Sequence, residues 1–401
     1  MTERFTAKAF ALLCVLLLGF ALWTPVTSAA DTSSEAPRPG IPSAPARVGA
    51  TTIVKVTGRS AAASSPANRE VRLLAYRSVS GVWRHYATVP TSISAGATYT
   101  ASVRLPYAGA WRLIAQQIDH AAATTSTSNP RSLTVVVTPA LTYVRALSAN
   151  GSRTPSSRAD MLARRYIAAK LASWGYSVRQ TTVYLPDGHR TANVIAEKRG
   201  ASTRVIVVGA HRDSKRGSPG ANDNASGCAG TLELARRFAT ANAQPTIRFI
   251  FFGAEEVVGS KSNWHHFGSR QYVRSLTPAA KARIVGMIDL DMIGVGTKLY
   301  TRNLGVAPRT LERSLRTRAA RLGYRMTYLR DPSRTGWSDH EAFEFAGIPA
   351  AWIEWRTDYR YHTSRDTAGY CSEWRMQRVV RIVSSWLGRA TDAQLKALRQ
   401  S

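Results

Sequence analysis

Alternating apolar and polar positions fill the chain between residues 49 and 140. β-Branched and aromatic runs recur there at short intervals between turn residues, as in TTIVKVTG, VRLLAYRS and SLTVVVTP. This alternation is typical of strands with one buried face, and a series of short strands is typical of an antiparallel sandwich. We therefore predict a small all-β sandwich domain over residues 49–140. A Pro/Ser/Ala-rich stretch over residues 31–48 predicts a flexible leader before it.

From residue 141 onward the pattern changes to helical spacing that alternates with apolar runs. Apolar residues at helical spacing over 158–174, followed by Gly175, predict one helix and its end. Four compact apolar runs are typical of buried parallel strands, and they cover residues 203–210, 247–254, 283–290 and 349–355. The alternation predicts an α/β domain over residues 141–395, with a mostly parallel central sheet flanked by helices.

The first thirty residues have the pattern of an export signal. Arg4 and Lys8 precede an apolar run over residues 9–23, and small residues follow it. This order predicts a signal peptide over residues 1–30 that is cleaved near Ala30. The run is short for a membrane span, and no later stretch reaches the ~20 apolar residues that a transmembrane helix needs. We therefore expect a secreted protein with no transmembrane segment.

Composition changes this picture through charge. The 401 residues include 54 Lys+Arg against 25 Asp+Glu, which gives a formal net charge of +29. Such an excess favours nucleic acids or anionic surfaces as partners. The positive residues are spread along the chain without a basic run, a zinc finger or an RNA-binding signature, so we expect no nucleic-acid partner. Attraction to anionic cell-wall polymers stays an expectation for an exported chain of this charge.

Polar residues that could serve a metal site follow each of the four predicted parallel strands. In chain order they are His211 and Asp213, then Glu255 and Glu256, then Asp291, and finally Tyr361 and His362. Because the carboxyl ends of parallel strands meet at one edge of a sheet, we expect these side chains to converge. Asp223, in a loop before a helix, reaches the same edge. Each residue taken singly is also typical of a loop or a helix cap, so the prediction depends on their occurrence together.

This set of residue types permits metal-assisted hydrolysis. Two histidines and three carboxylates, one of them bridging, would hold two zinc ions with a shared water. Of the adjacent Glu255 and Glu256, one would bind metal while the other stays free as a general base. Asp213 lies close to His211 in the sequence and is expected to orient its imidazole. Three further histidines are predicted not to bind metal, namely His265, His266 and His340.

Six motifs occur in a fixed order along the second part of the chain. They are VVGAHRDS, GANDNASG, FFGAEE, LDMIG, SDHEAFEFAGIP and YHTSRDT. Together they resemble the secreted dinuclear-zinc aminopeptidases of metallopeptidase family 28, over about residues 145–390. The strand pattern before residue 140 resembles bacterial immunoglobulin-like modules. The resemblance implies a fold of the zinc-exopeptidase type for the α/β domain.

The same resemblance implies a role for each residue of the site. The implied ligands are His362 and Glu256 for one zinc ion, His211 and Asp291 for a second, and Asp223 for both. Glu255 would be the general base, and Tyr361 would help to stabilise the oxyanion. A cis peptide is expected between Asp223 and Asn224.

Two departures from the family pattern concern the surroundings of the site. Arg212 stands where many members carry an aromatic or aliphatic residue, and we expect it to alter the rim. A stretch that ends with His265 and His266 is interpreted as an insertion beside the site. Three tryptophans could either line a pocket for an apolar side chain or belong to the ordinary core, namely Trp337, Trp352 and Trp355.

The favoured function is that of a secreted zinc aminopeptidase that acts as a monomer on peptide substrates. The alternatives are a carboxypeptidase, another dinuclear-zinc amidohydrolase, a glutaminyl cyclase with one zinc ion, and a catalytically idle surface-binding protein. The complete ligand set and the free glutamate count against the cyclase and the idle protein. Cys228 and Cys371 could form one disulfide bond or remain as two buried thiols.

Overall fold

The computed structural model describes most of the chain after residue 37. The described residues are 38–44, 47–49, 53–61, 66–79, 81–105, 109–136, 139–259, 261–332 and 335–400. The predicted signal peptide, residues 1–30, lies outside them, as does half of the predicted leader. Among the described residues, no helix combines the length and the apolar character needed to cross a membrane.

The first part of the described chain consists almost entirely of strands. They are β1 (Arg47–Gly49), β2 (Ile53–Arg59), β3 (Arg69–Val79), β4 (Val82–Pro90), β5 (Ser92–Ile93), β6 (Thr98–Arg104), β7 (Gly109–Asp119), β8 (Thr124–Thr127) and β9 (Arg131–Val136). One sheet has the order β1-β9-β7-β3-β4 with β8 beside β7, and a second has the order β2-β6-β5. Val56 and Val103 of the second sheet share a buried cluster with Leu73 and Trp111 of the first. The division of the chain into two domains stays a prediction.

The rest of the chain alternates helices and strands. The helices are α1 (Pro139–Ser148), α2 (Arg158–Ser173), α3 (Gly227–Phe238), α4 (Phe267–Arg274), α5 (Pro278–Arg283), α6 (Thr310–Arg321), α7 (His340–Phe345), α8 (Glu373–Leu387) and α9 (Asp392–Ala397). The strands are β10 (Val178–Tyr184), β11 (Arg190–Lys198), β12 (Val205–His211), β13 (Thr246–Phe252), β14 (Ile284–Leu290), β15 (Lys298–Asn303), β16 (Thr327–Arg330) and β17 (Ala350–Arg356). Helix α2 is the one predicted over residues 158–174.

These eight strands form one sheet in the order β10-β11-β13-β12-β14-β17-β15-β16. Its four central strands β13, β12, β14 and β17 are the predicted parallel strands, and they are parallel to one another. The prediction of a mostly parallel sheet is correct for this centre and for the outer pair β15–β16, whereas the other outer pairings are antiparallel. Strands β10 and β11 pair antiparallel through a short turn, and β15 pairs antiparallel with β17. The sheet is therefore mixed. The short turn between β10 and β11 allows an antiparallel return but no helical crossover.

Helices cover both faces of the central sheet. Ile206 and Val208 of β12 contribute to the larger buried cluster, which also contains residues of α1, α2, α3, α6 and α8. Val205 and Val207 of the same strand belong to a second cluster, with residues of α4 and α7. Alternate residues of a strand point to opposite faces, so a strand covered on both sides must be apolar throughout. This is why the central strands are continuous apolar runs in the sequence.

Cys228 and Cys371 are free thiols, and both are buried. Cys228 lies in α3, where its thiol donates to the carbonyl oxygen of His211 at 3.1 Å. Burial raises the pKa of Cys228 to about 12, so the thiol stays protonated at neutral pH. Of the two alternatives left open by the sequence, the structure therefore contains two buried thiols.

Arg212 does not lie at the rim of the site, and that prediction is wrong. Its side chain is fully buried and pairs with Asp160 of α2 at 2.7 Å. It also donates to Thr191 Oγ1 at 2.6 Å and to the carbonyl oxygen of Ala192 at 2.5 Å. Because side chains alternate across an extended backbone, the residue after His211 points away from the edge that His211 faces.

We predict that Arg212→Met lowers the free energy of unfolding by about 3–5 kcal/mol, because Asp160 would stay buried with only the more distant Arg164, at 3.6 Å, as a partner charge. Urea unfolding measures the effect. Arg204→Met is the matched control, since Arg204 pairs with Asp392 at 2.6 Å on the partly exposed surface. The control should cost less than about 1 kcal/mol. Equal losses in the two variants would contradict the assignment of Arg212 to a buried ion pair.

Candidate metal centre

The carboxyl ends of the four central strands meet at one cavity of about 430 Å³. His211 is the last residue of β12, Asp291 directly follows β14, and the loop after β17 carries the Tyr361–His362 pair. The predicted residues that line the cavity are His211, Asp223, Glu255, Glu256, Asp291, Tyr361 and His362. Asp213, the eighth predicted residue, is fully buried. The structure thus brings the predicted set together at one edge of the sheet.

The Asp223 carboxylate lies between the two histidines. Its Oδ1 is 3.2 Å from His211 Nε2, and its Oδ2 is 3.2 Å from His362 Nε2. On the side of His362, Glu256 Oε2 lies 3.1 Å from the same Nε2 atom. On the side of His211, Asp291 Oδ1 lies 3.5 Å from His211 Nε2. One carboxylate therefore places an oxygen beside each of the two histidines.

The donor set fits two metal ions. The side chains of Asp223, Glu256 and His362 form one group whose ligand atoms lie within 4.8 Å of one another, and His211, Glu255 and Asp291 form a second. Within the described part of the chain, Glu256 Oε1 and Asp291 Oδ1 are buried without a hydrogen-bond donor. Buried carboxylate oxygens normally have a partner, so these atoms suit a cation. Imidazole nitrogens and carboxylate oxygens are ligands that zinc accepts.

The loop around Asp223 is fixed by hydrogen bonds from both sides. Asp366 accepts the backbone N–H groups of Asn222 at 2.7 Å and of Asp223 at 3.1 Å. Asn224 Nδ2 donates to the carbonyl oxygen of Leu290 at 2.9 Å, which ties the loop to the end of β14. The peptide between Asp223 and Asn224 is cis, as the resemblance implies. Asp366 was not singled out from the sequence as a site residue, although it lies within the YHTSRDT motif.

Asp213 holds the glutamate pair more directly than it holds His211. Its two carboxylate oxygens accept the backbone N–H groups of Glu255 at 3.1 Å and of Glu256 at 3.0 Å. The distance from Asp213 Oδ1 to His211 Nδ1 is 3.6 Å, longer than a hydrogen bond. Asp213 therefore binds mainly the segment after β13, and its predicted contact with the His211 imidazole is the weaker one.

Burial raises the pKa of three carboxyl groups of the cavity, those of Glu255, Glu256 and Asp291. Burial raises the pKa of Glu255 well above its usual range; His211 lowers it in part, and the nearby carboxylates of Glu256 and Asp291 raise it further. For Asp223, burial also favours the neutral form, but His211 and His362 hold its pKa below the usual value. A carboxyl group with a raised pKa is suited to accept and return a proton near neutral pH.

Tyr361 stacks on the ring of His362, with the ring centroids 3.6 Å apart. It is half-exposed at the mouth of the cavity. Burial and the surrounding carboxylates raise the pKa of Tyr361, so its hydroxyl stays protonated and can donate a hydrogen bond. The position and the protonation state are those that an oxyanion donor requires.

Of the three histidines predicted not to bind metal, His340 is outside every candidate ligand group among the described residues. His265 and His266 form a third group of potential ligand atoms with Glu341. Glu341 also pairs with Arg270, whose Nη2 is 2.6 Å from Glu341 Oε1. His266 lies 3.0 Å from Glu255 Oε1, a contact that the sequence did not reveal.

The three tryptophans combine the two roles that the sequence left open. All of them line the cavity. Trp352 and Trp355 are buried, so they belong to the core as well as to the cavity wall, whereas Trp337 is half-exposed. Arg302 lies 4.4 Å from the ring of Trp352 and 5.0 Å from that of Trp337. These rings make part of the cavity wall aromatic.

Comparison with known proteins places this site in a family context. The family model described as peptidase family M28 matches residues 193–387. By this match, that segment carries the sequence pattern of peptidase family M28. The M28 segment includes every residue of the two ligand groups.

Curated relatives of this chain include aminopeptidases and a leupeptin-inactivating enzyme. Aminopeptidase YwaD of Bacillus subtilis is 32% identical over 217 residues, which cover 51% of this chain and 46% of the relative. Leupeptin-inactivating enzyme 1 of Streptomyces exfoliatus is 32% identical over 232 residues, covering 56% of this chain and 48% of the relative. The alignments thus span about half the length of these curated relatives.

Solved structures match the fold of the same region. An aminopeptidase from Aneurinibacillus sp. strain AM-1 superposes with a TM-score of 0.55 and 21% identity, covering 62% of this chain and 92% of that one. The zinc aminopeptidase BSAP from Bacillus subtilis superposes with a TM-score of 0.55 and 20% identity, covering 62% of this chain and 93% of that one. Porphyromonas gingivalis glutaminyl cyclase superposes with a TM-score of 0.55 and 25% identity, covering 62% of this chain and 96% of that one. The α/β region therefore has the fold of zinc exopeptidase structures, which a cyclase shares.

The environment of His340 at the start of α7 leads to a pH prediction. Burial disfavours the charged imidazole, but the carboxylates of Asp289 and Asp331 raise the pKa of His340 to about 10. Its Nε2 is 2.9 Å from Asp331 Oδ2. A raised histidine pKa stabilises the fold fully below the unfolded value of roughly 6.5, and this stabilisation is lost as the pH rises through about 10.

We therefore expect His340→Gln to lower the free energy of unfolding by about 2 kcal/mol at pH 6 and by progressively less toward pH 10. Denaturant unfolding at several pH values measures the difference from the wild type. His189→Gln is the control, because the side chain of His189 is 61% exposed. A loss for His340→Gln that does not change between pH 6 and pH 10 would rule out the charged state of His340 as its cause.

Proposed function

We propose that this chain is a secreted, zinc-dependent aminopeptidase that removes N-terminal residues from peptides with two metal ions. The observation that supports it most strongly is the Asp223 carboxylate, which places one oxygen beside His211 and the other beside His362. A bridging carboxylate of this kind suits a pair of ions that act on one substrate bond. The aminopeptidases among the relatives of the M28 segment support the choice of reaction.

In this proposal each zinc ion has its own ligands and shares Asp223. His362 and Glu256 belong to one ion, and His211 and Asp291 to the other. Two zinc ions at these groups would supply Lewis-acid activation of a water molecule and of the peptide carbonyl. Glu255 is left as the base because Asp223 Oδ1 lies closer to His211 Nε2 than Glu255 Oε2 does, at 3.2 Å against 3.9 Å.

The residues of the chain then divide the remaining work. Glu255 accepts a proton from the attacking water through a carboxylate oxygen and returns it to the amine that leaves. Tyr361 donates its hydroxyl hydrogen to the oxygen on which negative charge develops. Asp213 holds the segment of Glu255 by accepting its backbone N–H, and Asp366 holds the loop of Asp223 by accepting the backbone N–H of Asn222. The aromatic wall of Trp337 and its neighbours is the proposed contact for an apolar side chain of the substrate.

A second candidate, glutaminyl cyclase activity, is favoured by one observation. The cyclase from Porphyromonas gingivalis is 25% identical and is covered over 96% of its length. The two reactions differ in their product from a peptide that begins with glutamine. An aminopeptidase releases free glutamine, whereas a cyclase leaves a pyroglutamyl peptide and ammonia. Mass spectrometry of the products from one such peptide separates the two, and peptides with a blocked N-terminus test the carboxypeptidase alternative.

Several features of the wider proposal rest on the sequence alone. We propose export through the signal peptide of residues 1–30 and a monomeric enzyme. We also propose that the exported chain associates with anionic cell-wall polymers through its positive charge, which is +29 over the whole sequence. Elution of the protein from cell walls by moderate salt supports this association, because salt screens such contacts. A catalytically idle surface protein would bind the walls without hydrolysing any peptide.

We predict that Glu255→Gln lowers kcat for a leucine p-nitroanilide substrate about 10²–10⁴-fold, because the amide cannot accept the proton of the water. Zinc analysis by mass spectrometry should still find about two ions per chain, since Glu255 is not a proposed ligand. The matched control is Glu197→Gln, at an exposed pair with Arg248, and should keep full activity. Full activity of Glu255→Gln would refute its role as the base, and loss of zinc in that variant would make it a ligand.

A further inference from the structure

The segment after the glutamate pair folds back onto Glu255. The backbone N–H of His266 donates to the carbonyl oxygen of Glu255 at 2.8 Å, and that of Phe267 donates to the carbonyl oxygen of Ala254 at 2.8 Å. His266 has a φ of 56° and is buried, with 2% of its surface exposed. The backbone therefore delivers the imidazole of His266 to the side chain of Glu255 rather than to solvent.

The two oxygens of Glu255 have different neighbours. Oε1 is 3.0 Å from His266 Nε2, whereas Oε2 is 3.9 Å from His211 Nε2 and so faces the proposed metal site. A hydrogen bond at Oε1 fixes the rotation of the carboxylate about its last torsion, which is otherwise broad. The second oxygen then stays directed at the place where the water would react.

The other nitrogen of the His266 ring faces Glu341 at ion-pair distance, without the geometry of a hydrogen bond. This Nδ1 atom lies 3.3 Å from Glu341 Oε2. Glu341 Oε1 accepts from Arg270 Nη2 at 2.6 Å and from Arg270 Nε at 3.0 Å. Burial alone would raise the pKa of Glu341, but His266 and Arg270 lower it to about 2, so this carboxylate is ionised at neutral pH. Arg270, Glu341, His266 and Glu255 thus form one continuous chain of polar contacts.

A metal ion is a weaker explanation for this group. His265, His266 and Glu341 could provide three ligand atoms. However, Arg270 already places a permanent positive charge on the Glu341 carboxylate at 2.6 Å. A second cation on the same carboxylate would be repelled by the guanidinium, which cannot lose its proton. The contacts therefore favour an ordered imidazole over a third metal site.

We propose that His266 is a positioning residue for Glu255, oriented by Glu341 and Arg270. The imidazole donates its Nε2 hydrogen to Glu255 Oε1 and leaves Oε2 free to take the proton of the water. The proposal rests on the proposed peptidase function and adds one positioning residue to it. Groups that orient a catalytic side chain without touching the substrate commonly change activity by about 10–100-fold.

The test compares His266→Ala, His266→Gln and Glu341→Gln with the wild-type chain. We expect His266→Ala to lower kcat about 10–100-fold, with KM changed less than about twofold and zinc content unchanged. His266→Gln keeps an N–H donor and should recover part of the lost kcat. Glu341→Gln should lower kcat by a smaller factor. His189→Ala, which replaces an exposed histidine, is the control and should match the wild type.

Each outcome decides the proposal. Wild-type kcat in His266→Ala would overturn it, and so would a loss of activity that only follows loss of zinc or a lowered Tm, because that result indicates a structural role. If His266→Ala does not fold, a wild-type kcat in folded Glu341→Gln overturns it, and a lowered kcat with unchanged zinc supports it. Absence of peptidase activity in the zinc-loaded wild type refutes the proposed function itself, which separates the two failures.

Discussion

The position of one carboxylate controls the geometry of the whole site. Asp223 is held so that one oxygen faces His211 and the other faces His362, each at 3.2 Å. Its backbone is tied to the segment after β17 by Asp366, and its neighbour Asn224 is tied to the end of β14. A shift of this loop would separate the two ligand groups at once. The central sheet serves the site by bringing these segments to a common edge.

Much of the fold could be predicted from the sequence, for a physical reason. A strand that is buried on both faces must be apolar at every position, so β12, β13, β14 and β17 are distinct in the sequence. The outer strands are harder to predict. Strand β10 has several exposed residues and is not a continuous apolar run. Its antiparallel pairing with β11 depends on a turn rather than on composition. This is why the predicted sheet was more parallel than the observed one.

The residues of the candidate site also divide into those that could be predicted from the sequence and those that could not. Residues at the ends of buried strands, such as His211 and Asp291, could be located because strand order fixes where they lie. Contacts between loops could not. His266 reaches Glu255 through a backbone turn, Asp366 binds the backbone of a loop distant in sequence, and Arg212 turns into the core toward Asp160. Such contacts depend on loop paths and side-chain directions, for which one sequence contains no periodic signal.

The central claim is that Asp223 bridges two zinc ions. Anomalous diffraction from crystals of the zinc-loaded protein, recorded on both sides of the zinc absorption edge, tests it most directly. The account predicts two anomalous peaks, one beside His211 and Asp291 and one beside His362 and Glu256, with one Asp223 oxygen at each. A single peak, or two peaks that Asp223 does not join, would contradict it.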